Sequence, residues 1–175
     1  MKKVLFIVSM IMLSALQIQA QSSIDSENSK VEFSIKNMKF KTVEGSFGGM
    51  NGNVAFDPEN LENSSFNVCI DPATVNTGSK KRDEHLKNED FFDVEKYPEI
   101  CFKSDEIAKI DNQYIAKGTL TMHGISNKVE IPFEQNGNTL NGQLTINRKD
   151  YKVGDDGTFM VGDEVKLNII GTLKK

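Results

Sequence analysis

The chain predicts an all-β fold, an eight-stranded antiparallel β-barrel with one short helical crossover between two strands. Three observations carry this prediction. Apolar residues recur at every second position through successive runs, turn-forming residues separate most of the runs, and one long connector alone is rich in helix formers. Period two places apolar side chains on one face of a sheet and polar ones on the other. That suits a closed barrel or a two-layer sandwich, and of these the barrel is expected.

The runs follow in order. Val31, Phe33 and Ile35 alternate with polar residues, as do Val54 and Phe56, and then Phe66, Val68 and Ile70. Ile100 and Phe102 open the second half, followed by Tyr114, Ala116, Gly118, Leu120 and Met122, and by Val129, Ile131 and Phe133. Leu140, Leu144 and Ile146 form the seventh run; Val165, Leu167, Ile169 and Leu173 form the eighth. Turn signals stand between them at Asp57-Pro58-Glu59-Asn60, Asp111-Asn112, His123-Gly124-Ile125-Ser126 and Asn136-Gly137-Asn138, and short turns imply antiparallel neighbours. The exception runs from Thr74 to Pro98. Its segment Lys80 to Asn88 favours helix, and Phe91, Phe92 and Tyr97 offer aromatic anchors.

At the N-terminus Lys2 and Lys3 precede an apolar run from Val4 to Leu16, and Ala20 offers a small-residue cleavage point. This is the layout of a secretory signal peptide over residues 1–20, and the run falls short of the ~20 apolar residues that span a bilayer. The expected product is a single soluble domain, residues 21–175, periplasmic or secreted. Loss of the two lysines takes the net charge from −4 to about −6, which argues against a nucleic-acid partner. Cys69 and Cys101 are the two cysteines of the chain. Each is out of phase with its apolar neighbours, so both face outward; they bridge if their strands pair side by side, and otherwise remain separate thiols.

Several segments together carry a family resemblance: Val31 to Lys36, Gly45-Ser46-Phe47, Gly52 to Pro58, and Ile70-Asp71 leading to Thr77-Gly78. The most specific part is Arg82-Asp83-Glu84-His85-Leu86, followed by Asp90 to Asp93 and Tyr97 to Ile100. Leu120 to Ser126, Asn147 to Tyr151 and Val161 to Val165 complete it. In order and spacing these resemble the YceI-like family. The resemblance implies an extended, lipocalin-like antiparallel barrel whose apolar tunnel holds a polyisoprenoid, an isoprenoid quinone or a fatty amide, with no established reaction; no cofactor is expected. Asn28 and Asn37 stand where histidines are often found, and Ile24 opens the domain without a tryptophan. A homodimer is compatible with the resemblance alone.

Phe33, Ile35, Phe56, Val68, Phe102, Leu120, Met122, Ile131, Phe133 and Ile146 are the expected tunnel wall; the other reading of the same residues is a filled core. Arg82, His85, His123 and Arg148 are the polar candidates for a head group, since guanidinium and imidazole groups donate to phosphate or quinone oxygens. Their ordinary alternatives are a helix surface, a turn held by Gly124, and pairing of Arg148 with Asp150. Catalysis is not expected. No G-x-S-x-G elbow occurs, and the two histidines lack metal-ligand spacing. The remaining alternative is a periplasmic stress or interaction module with a filled barrel that acts through its surface.

Overall fold

The computed structural model describes residues 21–37, 41–154 and 160–174; the expected signal peptide lies outside them. Among the described residues there are ten antiparallel strands, one short α-helix and three single-turn 3-10 helices. The strands are β1 (Ser22–Ser23), β2 (Lys30–Asn37), β3 (Lys41–Phe47), β4 (Asn51–Ala55), β5 (Ser65–Ile70), β6 (Ile100–Ile110), β7 (Gln113–Met122), β8 (Ile125–Asn136), β9 (Thr139–Asn147) and β10 (Val161–Thr172), and helix α1 (Lys80–Lys87) lies between β5 and β6. They form one sheet in the order β1-β4-β5-β6-β7-β8-β9-β10-β2-β3.

Two expectations are corrected here. The sheet has ten strands rather than eight, and it curls into a half-barrel instead of closing. Both additional strands are edges of the sheet. β1 consists of two serines and carries no apolar period. In β3 the alternation Val43, Gly45, Phe47 is broken by a glycine, yet the strand pairs along its length with β2, Phe33 opposite Gly45. Glycine is required there: a Cβ on residue 45 would sit 2.5 Å from the Phe33 ring and 2.9 Å from the Asn76 carbonyl oxygen. At the β3 edge the connector takes part of the free backbone, and next to β1 Ile24 bridges Leu173 beyond the end of β10. Ser46 and Asn76 exchange backbone hydrogen bonds of 2.9 Å in both directions, which leaves those groups unavailable to another strand.

Period two then decides what faces in. Along β7 the residues Ala116, Gly118, Leu120 and Met122 are buried, while their neighbours are more exposed. The β7–β8 turn needs left-handed backbone at both His123 (φ 51) and Gly124 (φ 74), and the second position favours glycine. The Tyr97 ring lies over that glycine.

Cys69 and Cys101 stand directly opposite each other on β5 and β6 and form a disulfide with Cα atoms 4.1 Å apart. The bridge spans 32 residues of sequence, including the whole connector, so it removes loop-closure entropy from the unfolded chain. Replacing both cysteines with serine is expected to lower the stability by about 3–4 kcal/mol, read as a lower urea midpoint. An unchanged midpoint would contradict that estimate.

Candidate ligand-binding cavity

The inward faces of the strands enclose a cavity of about 460 Å³ with an almost wholly apolar wall. This falls within the ~300–1,000 Å³ typical of small-molecule sites. Core packing therefore does not fill the interior. Of the expected wall, Phe33, Ile35, Val68, Phe102, Leu120, Met122, Ile131, Phe133 and Ile146 all line the cavity. They come from six strands, and Phe133 faces Gly142 across the β8–β9 pair.

Phe56 is a correction. β4 ends at Ala55, so Phe56 leaves the sheet and turns into an aromatic cluster off the cavity wall. Its ring lies 5.0 Å from Tyr114, 5.3 Å from Phe133 and 6.2 Å from Phe66, all edge-on, and Phe66 and Phe133 are themselves 5.1 Å apart. Each such pair contributes about 0.5–1.5 kcal/mol beyond area burial. The cluster closes the end of the half-barrel that carries the β6–β7 and β8–β9 turns.

The opposite end is crossed by the connector, whose Phe91 and Phe92 the sequence marks only as anchors. Leu86, Phe91 and Phe92 line the cavity together with Arg82 and His85. Phe92 packs edge-on against Phe47, at 5.3 Å, and Phe47 against Phe33, at 5.2 Å. This aromatic chain ties the connector to β3 and β2. Val43, Phe47 and Met50 also line the cavity; the alternation Val43, Gly45, Phe47 was the signal for the first two.

The four polar candidates separate into two pairs. Arg82 and His85 sit at the mouth on α1. Arg82 donates from Nε to Thr77 Oγ1 (2.8 Å) and from Nη2 to the Thr77 carbonyl (3.0 Å), which leaves three of its five N–H groups outside these two bonds. His85 stacks edge-on with Phe91 at 5.0 Å, and its Nε2 is 3.7 Å from an Asp90 carboxylate oxygen. His123 is a correction: it lies in the β7–β8 turn, off the cavity wall, with Nδ1 3.2 Å from the Tyr151 carbonyl oxygen and its ring 4.8 Å from Tyr97.

Arg148 is a further correction, although its side chain reaches the cavity wall. It is 4% exposed. Nε donates to the Gly162 carbonyl (2.9 Å), Nη1 to those of Val153 (2.8 Å) and Gly154 (2.7 Å), and Nη2 to the Val161 carbonyl (3.3 Å) and the Asp163 carboxylate (3.2 Å). All five donors are engaged, so none is left for a head group. Its acidic partner is Asp163 rather than Asp150.

The mouth is held in turn by Asp83. The Thr77 N–H (2.9 Å) and hydroxyl both donate to Asp83 Oδ1, and the Thr77 hydroxyl bond leads in holding the Asp83 carboxyl below its ordinary value of 3.8. A lowered folded pKa stabilises the fold above the unfolded value, and this contribution disappears as pH falls through the folded one. The Thr77 amide is therefore expected to keep constant hydrogen-exchange protection above pH 3.8 and to lose it in more acidic solution. An Asp83 carboxyl carbon that titrates at or above the ordinary value in NMR would contradict this.

Comparison with known proteins fits this architecture. Residues 23–173 match the model of the YceI-like domain. A UPF0312 protein of Photorhabdus laumondii is 30% identical over 154 residues, 88% of this chain and 76% of that protein. Burkholderia cenocepacia BcnA has a crystal structure that superposes with a TM-score of 0.78 at 30% identity, covering 87% of this chain and 99% of that one. A polyisoprenoid binding domain from Saccharophagus degradans shares the fold, with a TM-score of 0.68 at 15% identity over 89% of this chain and 98% of that one. The chain belongs to the YceI-like family.

Proposed function

We propose that this protein is an exported binding protein that holds the long apolar tail of an isoprenoid or acyl lipid inside its half-barrel, for carriage, storage or sensing, and catalyses no reaction. The observation that carries the reading is the cavity of about 460 Å³ with an almost wholly apolar wall, whose few polar lining residues include Arg82 and His85. Its shape of chemistry suits a tail inside and a small polar head near Arg82 and His85. The polyisoprenoid-binding domain from Saccharophagus degradans, which has the same fold, supports this class of ligand. The apolar run after Lys2 and Lys3 supports export.

Energetically the tail must outweigh the cost of association, about 4–15 kcal/mol, at about 0.8 kcal/mol for each buried methylene. Affinity should therefore rise about fourfold per added methylene until the cavity is full, then level off. Titration with a homologous series of isoprenoid alcohols and fatty amides tests this. Affinity independent of chain length would point away from the cavity and toward a protein that acts through its surface.

A further inference from the structure

Glu99 immediately precedes β6, two residues from Cys101, and Cys69 stands opposite Cys101 in register. The two sulfurs and a Glu99 carboxylate oxygen all lie within 4.8 Å of one another. Among the described residues the Glu99 carboxylate has no ion-pair partner. Val68 and Phe102, the adjacent register pair, line the cavity, as does Cys69, whereas Cys101 and Glu99 are not part of its wall.

We propose that the reduced form of this cysteine pair, with Glu99, is a binding site for a soft divalent cation such as Zn²⁺. A dithiol or phosphine reductant supplies two electrons to the disulfide, and each sulfur gains a proton. The cation then displaces both protons and binds two thiolates and one carboxylate oxygen, with water as the fourth ligand. Once the S–S bond is broken, the sulfurs separate to non-bonded contact, near the spacing of about 3.8 Å that two thiolates adopt on one tetrahedral zinc. Strand register keeps them facing each other. The bridge and the cation exclude one another, so occupancy of the site follows the redox state of the protein.

Anaerobic titration of Co²⁺ into the purified protein tests the proposal, since thiolate-to-cobalt charge transfer gives near-ultraviolet absorption and tetrahedral cobalt gives intense visible bands. The reduced protein, with two free thiols counted and the phosphine removed, is expected to take up one Co²⁺, to exchange it for Zn²⁺, and to release two protons. The oxidised protein should take up none. Cys69→Ser combined with Cys101→Ser should abolish uptake, and Glu99→Gln should weaken it at least about tenfold, the low end of what outer-shell partners alone contribute. Reduced, folded protein that binds no Co²⁺, or uptake that survives in the double serine variant, would overturn the proposal. Loss of the β-sheet circular dichroism signal on reduction would overturn it equally, because the site needs β5 and β6 in register.

Discussion

Replacing Ala116 with tryptophan is expected to displace the ligand by about a hundredfold in affinity while the fold survives. Ala116 is 1% exposed, lies in the middle of β7 between Ile107 on β6 and Ile131 on β8, and lines the cavity. An indole there projects into space that packing has left empty. If it excludes four methylenes of the tail, the loss is about 3 kcal/mol, or roughly two orders of magnitude in Kd. Overpacking costs about 1–3 kcal/mol, which a domain stable by ~5–15 kcal/mol tolerates. Binding of a labelled isoprenoid, measured beside the thermal midpoint, separates the two effects. Unchanged affinity in a folded variant would mean that the tail binds elsewhere.

Truncation of Arg148 should do the reverse, destabilising the fold by about 3–5 kcal/mol because it leaves four carbonyl acceptors at a buried site without their donor, while the half-exposed Asp163 keeps Lys149 at 3.4 Å. Four carbonyl groups and one carboxylate converge on this guanidinium. It thereby pins the segment after β9 to the start of β10. Arg148→Lys is expected to recover little, since an ammonium offers three donors from one point in place of five in a planar fork. A lower urea midpoint at constant m-value reports this loss. If Arg148 instead served a head group, Arg148→Met would reduce ligand affinity and leave the midpoint unchanged.

These two residues mark what the sequence could and could not reveal. Period two identified every strand with a sustained apolar face, because burial on one side of a sheet leaves that trace whatever the tertiary fold. β1 escaped because two serines pair only through backbone. β3 escaped because the position that accommodates the Phe33 ring is a glycine, which erased the middle of its alternation. Closure was not legible at all: alternation does not tell which segment meets the β3 edge, here Asn76 of the connector.

The candidate site was read unevenly for the same reason. Wall residues such as Ile131 and Ile146 follow from their parity within a strand. Phe56 has the right parity but lies one residue past the end of β4, where parity no longer fixes direction. Arg148 looked available because its five partners are mostly carbonyl groups, which every residue carries and no sequence pattern announces. The cysteines show the opposite limit. Their outward phase was readable, while their pairing required knowledge that β5 and β6 are neighbours across the long connector.

The central claim, that the half-barrel holds a long apolar tail, is tested most directly by native mass spectrometry of the purified protein, followed by denaturation and extraction into organic solvent. The expected result is a stoichiometric adduct on the wild-type chain that extracts as an isoprenoid or acyl lipid, and a bare mass for Ala116→Trp. A bare mass for folded wild-type protein, both as purified and after incubation with long-chain isoprenoids, quinones and fatty amides, would contradict it.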